Sequence, residues 1–522
     1  MRKKVLSLLL GVGAVFPLFA QPPAEREVVL DLSRAVTPVD RFFALSVGSD
    51  YPGTLMRDDT QAHLAVAADE LGFKYLRFHD VFHDALGTVR NVDGKIVYDW
   101  SKLDRLYDDL LAKGIRPFVE LGFTPDALKT SEQTLFYWKG NTSHPDRGMW
   151  RHLVDAYIRH VIQRYGEDEV RTWYFEVWNE PNLKDFWENA DQAAYFTLYA
   201  DTVRTIKAID PTLRVGGPST AGAAWVPELL AYCKEHGLPI DFVTTHTYGV
   251  DGGFLDEDGK QDTKLLESPD AIIADVRRVR AEIDASAFPG LPLYFTEWSS
   301  SYSPRDFVHD SYINAAYVLS KLRQSRGLVQ GMSYWAYTDL FEEPGPPPTP
   351  FHGGFGLMNR EGLRKPTWFA YKYLNQIKGL EIPTTDALTW AAVDGAKVAV
   401  LAWDWQQPKQ DVSNTPFYTK PVPSTVAWPL LIRASHVTPG HYRMRLHRTG
   451  YQKNDPLSLY IAMGRPDDLT PSQLSALQAH TTDVPEKEQH LQVGADGVVE
   501  LKVPMRSNDI VLLTLDPIAP AN

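Results

Sequence analysis

Eight short runs rich in β-branched and aromatic residues, most of them separated by amphipathic segments of helical period, constrain this chain more than any other feature. The runs cover residues 42–47, 75–79, 116–121, 173–178, 213–217, 240–246, 292–298 and 330–336. They are apolar almost throughout rather than alternating, which is how strands covered on both faces read. Helical apolar spacing fills 62–71, 102–113, 148–163, 193–209, 271–283 and 311–325, with 365–374 as the eighth helix. Strand and helix in alternation, with the default right-handed crossover, predict an α/β chain closed into a (β/α)8 barrel. After about residue 380 the texture changes to β-rich alternation with Pro and Gly turns, at 393–403, 442–447 and 498–515. This predicts an accessory all-β sandwich domain, to which residues 27–32 add a strand. The expected division is barrel 40–376 and sandwich 26–39 plus 377–520.

Two of the barrel runs end in glutamate. Glu180 closes Trp178-Asn179-Glu180-Pro181 after the fourth run, and Glu297 closes Phe295-Thr296-Glu297-Trp298 in the seventh. A carboxylate at the end of a buried strand is costly unless partnered or used. Barrel active sites sit at strand C-termini, and two carboxylates there are what glycoside hydrolysis needs: an acid/base and a nucleophile. Glu180 is assigned the acid/base role and Glu297 the nucleophile. Asn179 is placed to hydrogen-bond a sugar 2-hydroxyl. His79 and His246 end the second and sixth runs and are read as donors to sugar hydroxyls. Trp335 ends the eighth, a flat floor for a sugar ring. Glu342 and Glu343 follow it, and one of them is expected to reach a hydroxyl. His79 and His83 stand four apart beside Asp84, but no helix presents them as a ligand pair, so neither metal nor cofactor is expected. Three long segments follow strands: 126–146, 250–269 and the Pro- and Gly-dense 341–356, which reads as a rigid rim.

The formal net charge of −13 and the lack of a basic stripe exclude nucleic acid as a partner. Cys233 is the single cysteine, so neither an intrachain disulfide nor a cysteine metal site is possible. Residues 1–20 read as a secretory signal. Arg2, Lys3 and Lys4 precede an apolar stretch too short for a comfortable membrane span, and Pro17-Leu18-Phe19-Ala20 offers a cleavage point. A periplasmic or secreted protein, free of the membrane after cleavage, is expected. Asn141-Thr142-Ser143 matches a glycosylation sequon.

Several stretches resemble glycoside hydrolase family 39, the β-xylosidases and α-L-iduronidases. They are 71–79, 117–123, Phe175-Glu176-Val177-Trp178-Asn179-Glu180-Pro181-Asn182-Leu183, Val215-Gly216-Gly217-Pro218, and Phe351-His352-Gly353-Gly354-Phe355-Gly356-Leu357 of the xylosidase branch. The resemblance implies a barrel with a β-sandwich, retention, Glu180 as acid/base and Glu297 as nucleophile. It implies sugar contacts at His79, Asn179, His246, Tyr248, Trp335 and Glu342, and a xylo-oligosaccharide substrate cut from its non-reducing end. One departure is Asp80, where the family commonly has Gly after the second-strand His; another is Ala85 after Asp84. The alternatives are an α-L-arabinosidase, a β-glucosidase or an α-L-iduronidase-like enzyme on the same frame, or a non-catalytic carbohydrate-binding protein. A uronidase needs a cation for its substrate carboxylate; the strand-end motifs are read as offering none, leaving Arg305 and Arg360 on loops.

Overall fold

The computed structural model describes residues 25–518, so the expected signal at 1–20 lies outside the described residues. Eight strands form a closed, all-parallel barrel: Ser46–Gly48, Tyr75–Phe78, Arg116–Leu121, Tyr174–Val177, Arg214–Thr220, Phe242–Tyr248, Leu293–Ser299 and Gly331–Tyr334. Helices between them include Asp58–Leu71, Ser101–Ala112, Arg147–Tyr165, Gln192–Ile209, Val226–His236, Ile273–Asp284 and Tyr312–Ser325, with Pro366–Leu374 last. Val226–His236 carries Cys233, which is buried and free.

The strand interiors are layered with period two, as pleated strands require. Phe118, Tyr174, Phe242 and Tyr294 form a buried aromatic plug. The Phe118 and Tyr174 rings stack at 4.7 Å, and Tyr174 meets Tyr294 at 5.1 Å. Gly216 is required here, because a Cβ would come within 2.4 Å of the Phe242 ring. Two residues further along the same strands stand Glu120, Glu176 and Thr296, and on the second strand Arg77 follows Tyr75 in the same step. The interior therefore turns from aromatic to charged in one pleat, toward the strand ends that carry Glu180 and Glu297.

The first run differs from its expectation. Phe42–Ala44 forms a 3-10 turn and the strand is only Ser46–Gly48. Asp40 accepts the Phe42 N–H at 3.1 Å, and the Phe43 ring packs edge-on at 5.4 Å against Trp390. The aromatic pair thus anchors the barrel to the C-terminal sheets instead of extending the strand. Two of the long segments contain hairpins: Thr134–Leu135 with Gly140–Asn141, and Val250–Leu255 with Gln261–Leu265. The first hairpin buries the sequon, and Asn141 Nδ2 donates to Ser131 O.

In the C-terminal region Arg26–Asp31 pairs in parallel with Leu430–Ser435, which joins Val499–Val503. A seven-stranded sheet faces this one, with Val398, Val400, Met444 and Leu513 packed against Val28, Leu30 and Ile432. Three short helices accompany the sheets: Asn414–Tyr418, Pro456–Ala462 and Pro471–His480. Among the described residues no helix is long and apolar enough to cross a membrane.

The rim at 341–356 is pinned from below. Lys365 Nζ lies 2.6 Å from both Asp310 Oδ1 and Asp339 Oδ2, all three side chains being fully buried. It also donates to Gly354 O at 2.9 Å, and Asp339 accepts the Gly356 N–H at 2.7 Å. Phe355, held between these contacts, packs at 5.4 Å on Phe341, which meets Trp335. Removing one partner of such a triad strands buried charge, so Lys365→Met should cost about 3–5 kcal/mol, read as a lowered midpoint in denaturant unfolding.

Candidate active site

Arg77 sits in the centre of the barrel with no exposed surface and is ringed by acceptors. Its Nε donates to Glu176 Oε2 at 2.6 Å, its Nη1 to Glu297 Oε1 at 2.7 Å, and its Nη2 to Asn179 Oδ1 at 2.7 Å. Nη2 also lies 3.0 Å from Glu120 Oε2. Although burial opposes its charge, Glu176, Glu120 and Glu297 hold the guanidinium firmly cationic. The Trp335 ring lies over it, 5.6 Å from centroid to Cζ. Gly48 makes room for that ring, since a Cβ there would stand 2.0 Å from Trp335 Cε3.

The Trp178–Asn182 turn aims the first glutamate. Trp178 and Glu180 take left-handed backbone, φ 71° and 48°, which L side chains adopt at a cost. The turn is held by Trp178 Nε1 to Phe186 O (2.8 Å), Glu180 N to Ser219 O (2.8 Å) and a two-way clamp of Asn182 on Ala221. Asn179 spends its oxygen on Arg77, leaving a buried Nδ2 without a partner. On the opposite side, Tyr248 Oη donates to Glu297 Oε2 at 2.9 Å. A Glu180 carboxylate oxygen and a Glu297 carboxylate oxygen lie within 4.8 Å of each other.

The two acids have different surroundings. Burial pushes Glu180 well above the ordinary carboxylate range, and the facing Glu297 adds to this. Glu297 is pushed up to about 7 by burial, while Arg77 and His79 pull it back. Both sets of causes favour the proton on Glu180 over the proton on Glu297. His79 is fully buried between Glu120 Oε2 (2.8 Å) and Glu343 Oε1 (3.0 Å); burial alone would neutralise it, but these carboxylates raise it well above its usual range.

A cavity of about 480 Å³ opens over these groups. His79, Asn179, Glu180, Tyr248, Glu297, Trp335 and Glu343 line it, with Phe136, Leu183, Phe186, Tyr302 and Phe355 on the apolar side. Two sequence expectations are corrected. Glu342 does not enter the cavity: it pairs outward with Arg57 at 2.9 Å, and its successor Glu343 turns in to His79. On this irregular loop no strand period dictates which of two adjacent side chains points inward. His246 is not on the cavity wall either. It lies beneath the acids, Nδ1 2.9 Å from Glu180 Oε1 and 3.6 Å from Glu297 Oε2, where burial drives it well below its usual range and keeps it neutral.

Arg77, Glu120 and Glu176 were missed as site residues, and the reading that no strand-end motif carries a cation is overturned by Arg77. The signal was present: a charge inside a doubly buried strand must be partnered. Among the described residues no Lys or Arg lines the cavity itself. Arg305 is bound to the carbonyls of Gly345 and Pro346, and Arg360 to Glu361 and Asp468. Asp80 has φ 54°, the left-handed backbone that favours the family's usual Gly; Asp tolerates it, and its carboxylate accepts the Phe123 N–H at 3.2 Å. Burial raises Asp80 to about 7. His79 and His83 do not converge, since His83 Nε2 faces Trp138 O. Among the described residues, one set of donors is close enough to share an ion, Glu180, His246 and Glu297. The guanidinium 2.7 Å from Glu297 opposes a cation there.

The profile of glycosyl hydrolases family 39 matches residues 26–500. The chain belongs to glycosyl hydrolase family 39. It is 36% identical over 486 residues to a β-xylosidase of Geobacillus stearothermophilus, covering 90% of this chain and 92% of that one. A family 39 enzyme from Xanthomonas axonopodis pv. citri is 72% identical, with TM-score 0.95 over 97% of this chain and all of that one. A crystal structure described as a monomeric β-xylosidase, from Caulobacter crescentus CB15, is 65% identical, with TM-score 0.93 over 95% of this chain and all of that one. This family 39 member is thus a glycoside hydrolase that cleaves O-glycosyl bonds.

Because Arg77 holds Glu297 down, Arg77→Met should move the acid limb of the kcat/KM profile to higher pH and destabilise the fold by about 3–5 kcal/mol. A limb that stays in place would disconnect Arg77 from Glu297. Glu343→Gln should raise KM by roughly tenfold or more, through loss of a charged hydrogen-bond partner, whereas Glu342→Gln should leave KM within about twofold. Steady-state kinetics on one aryl glycoside reads both.

Proposed function

We propose that this family 39 enzyme is an exported, retaining, exo-acting β-xylosidase that releases xylose from the non-reducing ends of xylo-oligosaccharides. The observation that carries retention is the approach of Glu180 and Glu297 oxygens to within 4.8 Å. Carboxyl groups about 5–5.5 Å apart suit double displacement, whereas inversion needs about 6.5–9.5 Å to admit a water. The xyloside preference rests on the named relatives and on a cavity wall without Lys or Arg, which gives a uronate carboxylate no counter-charge.

In the first step a Glu297 oxygen attacks the anomeric carbon, the bond to the leaving oxygen breaks, and Glu180 gives that oxygen its proton. The hydrogen-bond network supports the proton's place. Thr296 Oγ1 donates to Glu176 Oε1 at 2.7 Å, so toward Thr296 the His246 Nε2 acts as the donor. In that tautomer, assigned from the network, Nδ1 accepts from protonated Glu180. Once Glu297 is esterified its charge is gone, and with it the second cause of the high Glu180 pKa. Glu180, now a stronger acid and deprotonated, takes a proton from water as that water attacks the anomeric carbon and frees Glu297.

A substrate panel tests the reading. Aryl β-xyloside should turn over faster than aryl α-L-arabinoside, β-glucoside or iduronide. Glu297→Ala should lose at least about 10⁴-fold. Glu180→Ala should lose far more on xylobiose than on an aryl xyloside with a good leaving group, since only the former needs the acid. Equal losses on both, or preference for another glycoside, would contradict the proposal.

A further inference from the structure

A second cavity, about 600 Å³, lies at the opposite end of the barrel from the catalytic mouth. Its wall comes from segments that lead into the first three barrel strands and from the last barrel helix: Arg41, Gly72 with Lys74, Lys113, and Asn375 with Lys378. Four cations face one Asp, Asp69, in a chain whose formal net charge is −13. Among the described residues none of the four makes an ion pair. Lys113 is satisfied only by Asp109 O at 3.0 Å, and Arg41 by Asn375 Oδ1 at 2.8 Å. Arg41 Nη1 is buried and has no acceptor among the described residues. Gly72 permits this arrangement, because a Cβ there would stand 2.6 Å from Asn375 Oδ1 and 3.1 Å from Arg41 Nη2. The cations feel each other: burial lowers Lys378, and Arg41, Lys397 and Lys74 lower it further. Arg77 and Lys365, by contrast, each meet carboxylates.

We propose that this cavity is a binding site for a phosphate-class oxyanion, with the Arg41 guanidinium as its fork and Lys74, Lys113 and Lys378 as surrounding point charges. A planar guanidinium beside flexible ammonium groups suits a multivalent tetrahedral anion better than a single carboxylate, because each added charge on the ligand meets a separate cation. Asp69 on the rim opposes entry only in part, one charge against four. Occupancy would stabilise the fold by mass action and leave the sugar chemistry untouched, since no wall residue belongs to the catalytic cavity.

Isothermal titration of inorganic phosphate into the full chain, in chloride at constant ionic strength, tests this. Wild type should bind saturably, one per chain. The Lys74→Gln/Lys378→Gln double variant, checked for an unchanged thermal midpoint in phosphate-free buffer, should bind about tenfold more weakly or worse while keeping aryl xyloside turnover. Glycerol 3-phosphate as a second probe separates sources: binding comparable to inorganic phosphate means the site takes phosphate esters, and binding of inorganic phosphate alone means it takes the free ion. No saturable heat with either probe, equal binding by wild type and variant, or phosphate inhibition of turnover equal in both would overturn the proposal.

Discussion

The buried guanidinium of Arg77 is the interaction on which the rest of the site depends. One rigid fork touches Glu176, Glu297, Asn179 and Glu120, side chains delivered by three different strands and the turn that follows one of them. Such a cluster earns its place only when every lone pair is met, since desolvating these charges is expensive. Here the completeness is high: Thr296 fills the second Glu176 oxygen, Tyr248 the second Glu297 oxygen, and the Asp80 N–H the second Glu120 oxygen. The fork therefore fixes geometry as well as charge.

The charge balance around that fork separates the two acids. Arg77 and His79 are the cations, facing Glu120, Glu176, Glu297 and Glu343. Among the described residues Glu180 has no cation in contact; its near neighbour is the neutral His246. In a low-dielectric interior that difference favours the proton on Glu180 over the proton on Glu297. The same barrel layering produces both environments. An aromatic plug excludes water from below, the charged layer follows one pleat above it, and the rim held by Lys365 closes the side with Phe355 and Trp335.

Much of this was legible in the sequence because strands impose period two and barrels put function at strand ends. The eight runs, the sandwich-forming alternation and the paired glutamates all follow from those two rules. What escaped did so for physical reasons. Glu342 and Glu343 stand on a Pro-rich loop, where local turn geometry and the Arg57 ion pair decide which one faces inward. His246 ends a strand like His79 but is pressed beneath the acids, and nothing in a strand-end position distinguishes roof from floor. Arg77 was passed over because it precedes the strand end by a step, although its charge amid apolar residues was itself a sign of a partner. Phe42 and Phe43 looked like strand because Trp390, some 350 residues away, takes them as a docking point.

The division of labour set by Arg77 is tested most directly by mass spectrometry after inactivation with an aryl 2-deoxy-2-fluoro-β-xyloside, which forms the glycosyl-enzyme but releases it slowly. The expected result is one 2-deoxy-2-fluoroxylosyl adduct per chain, on the peptide carrying Glu297. An adduct on Glu180, or inactivation-free turnover with inverted product, would contradict the account.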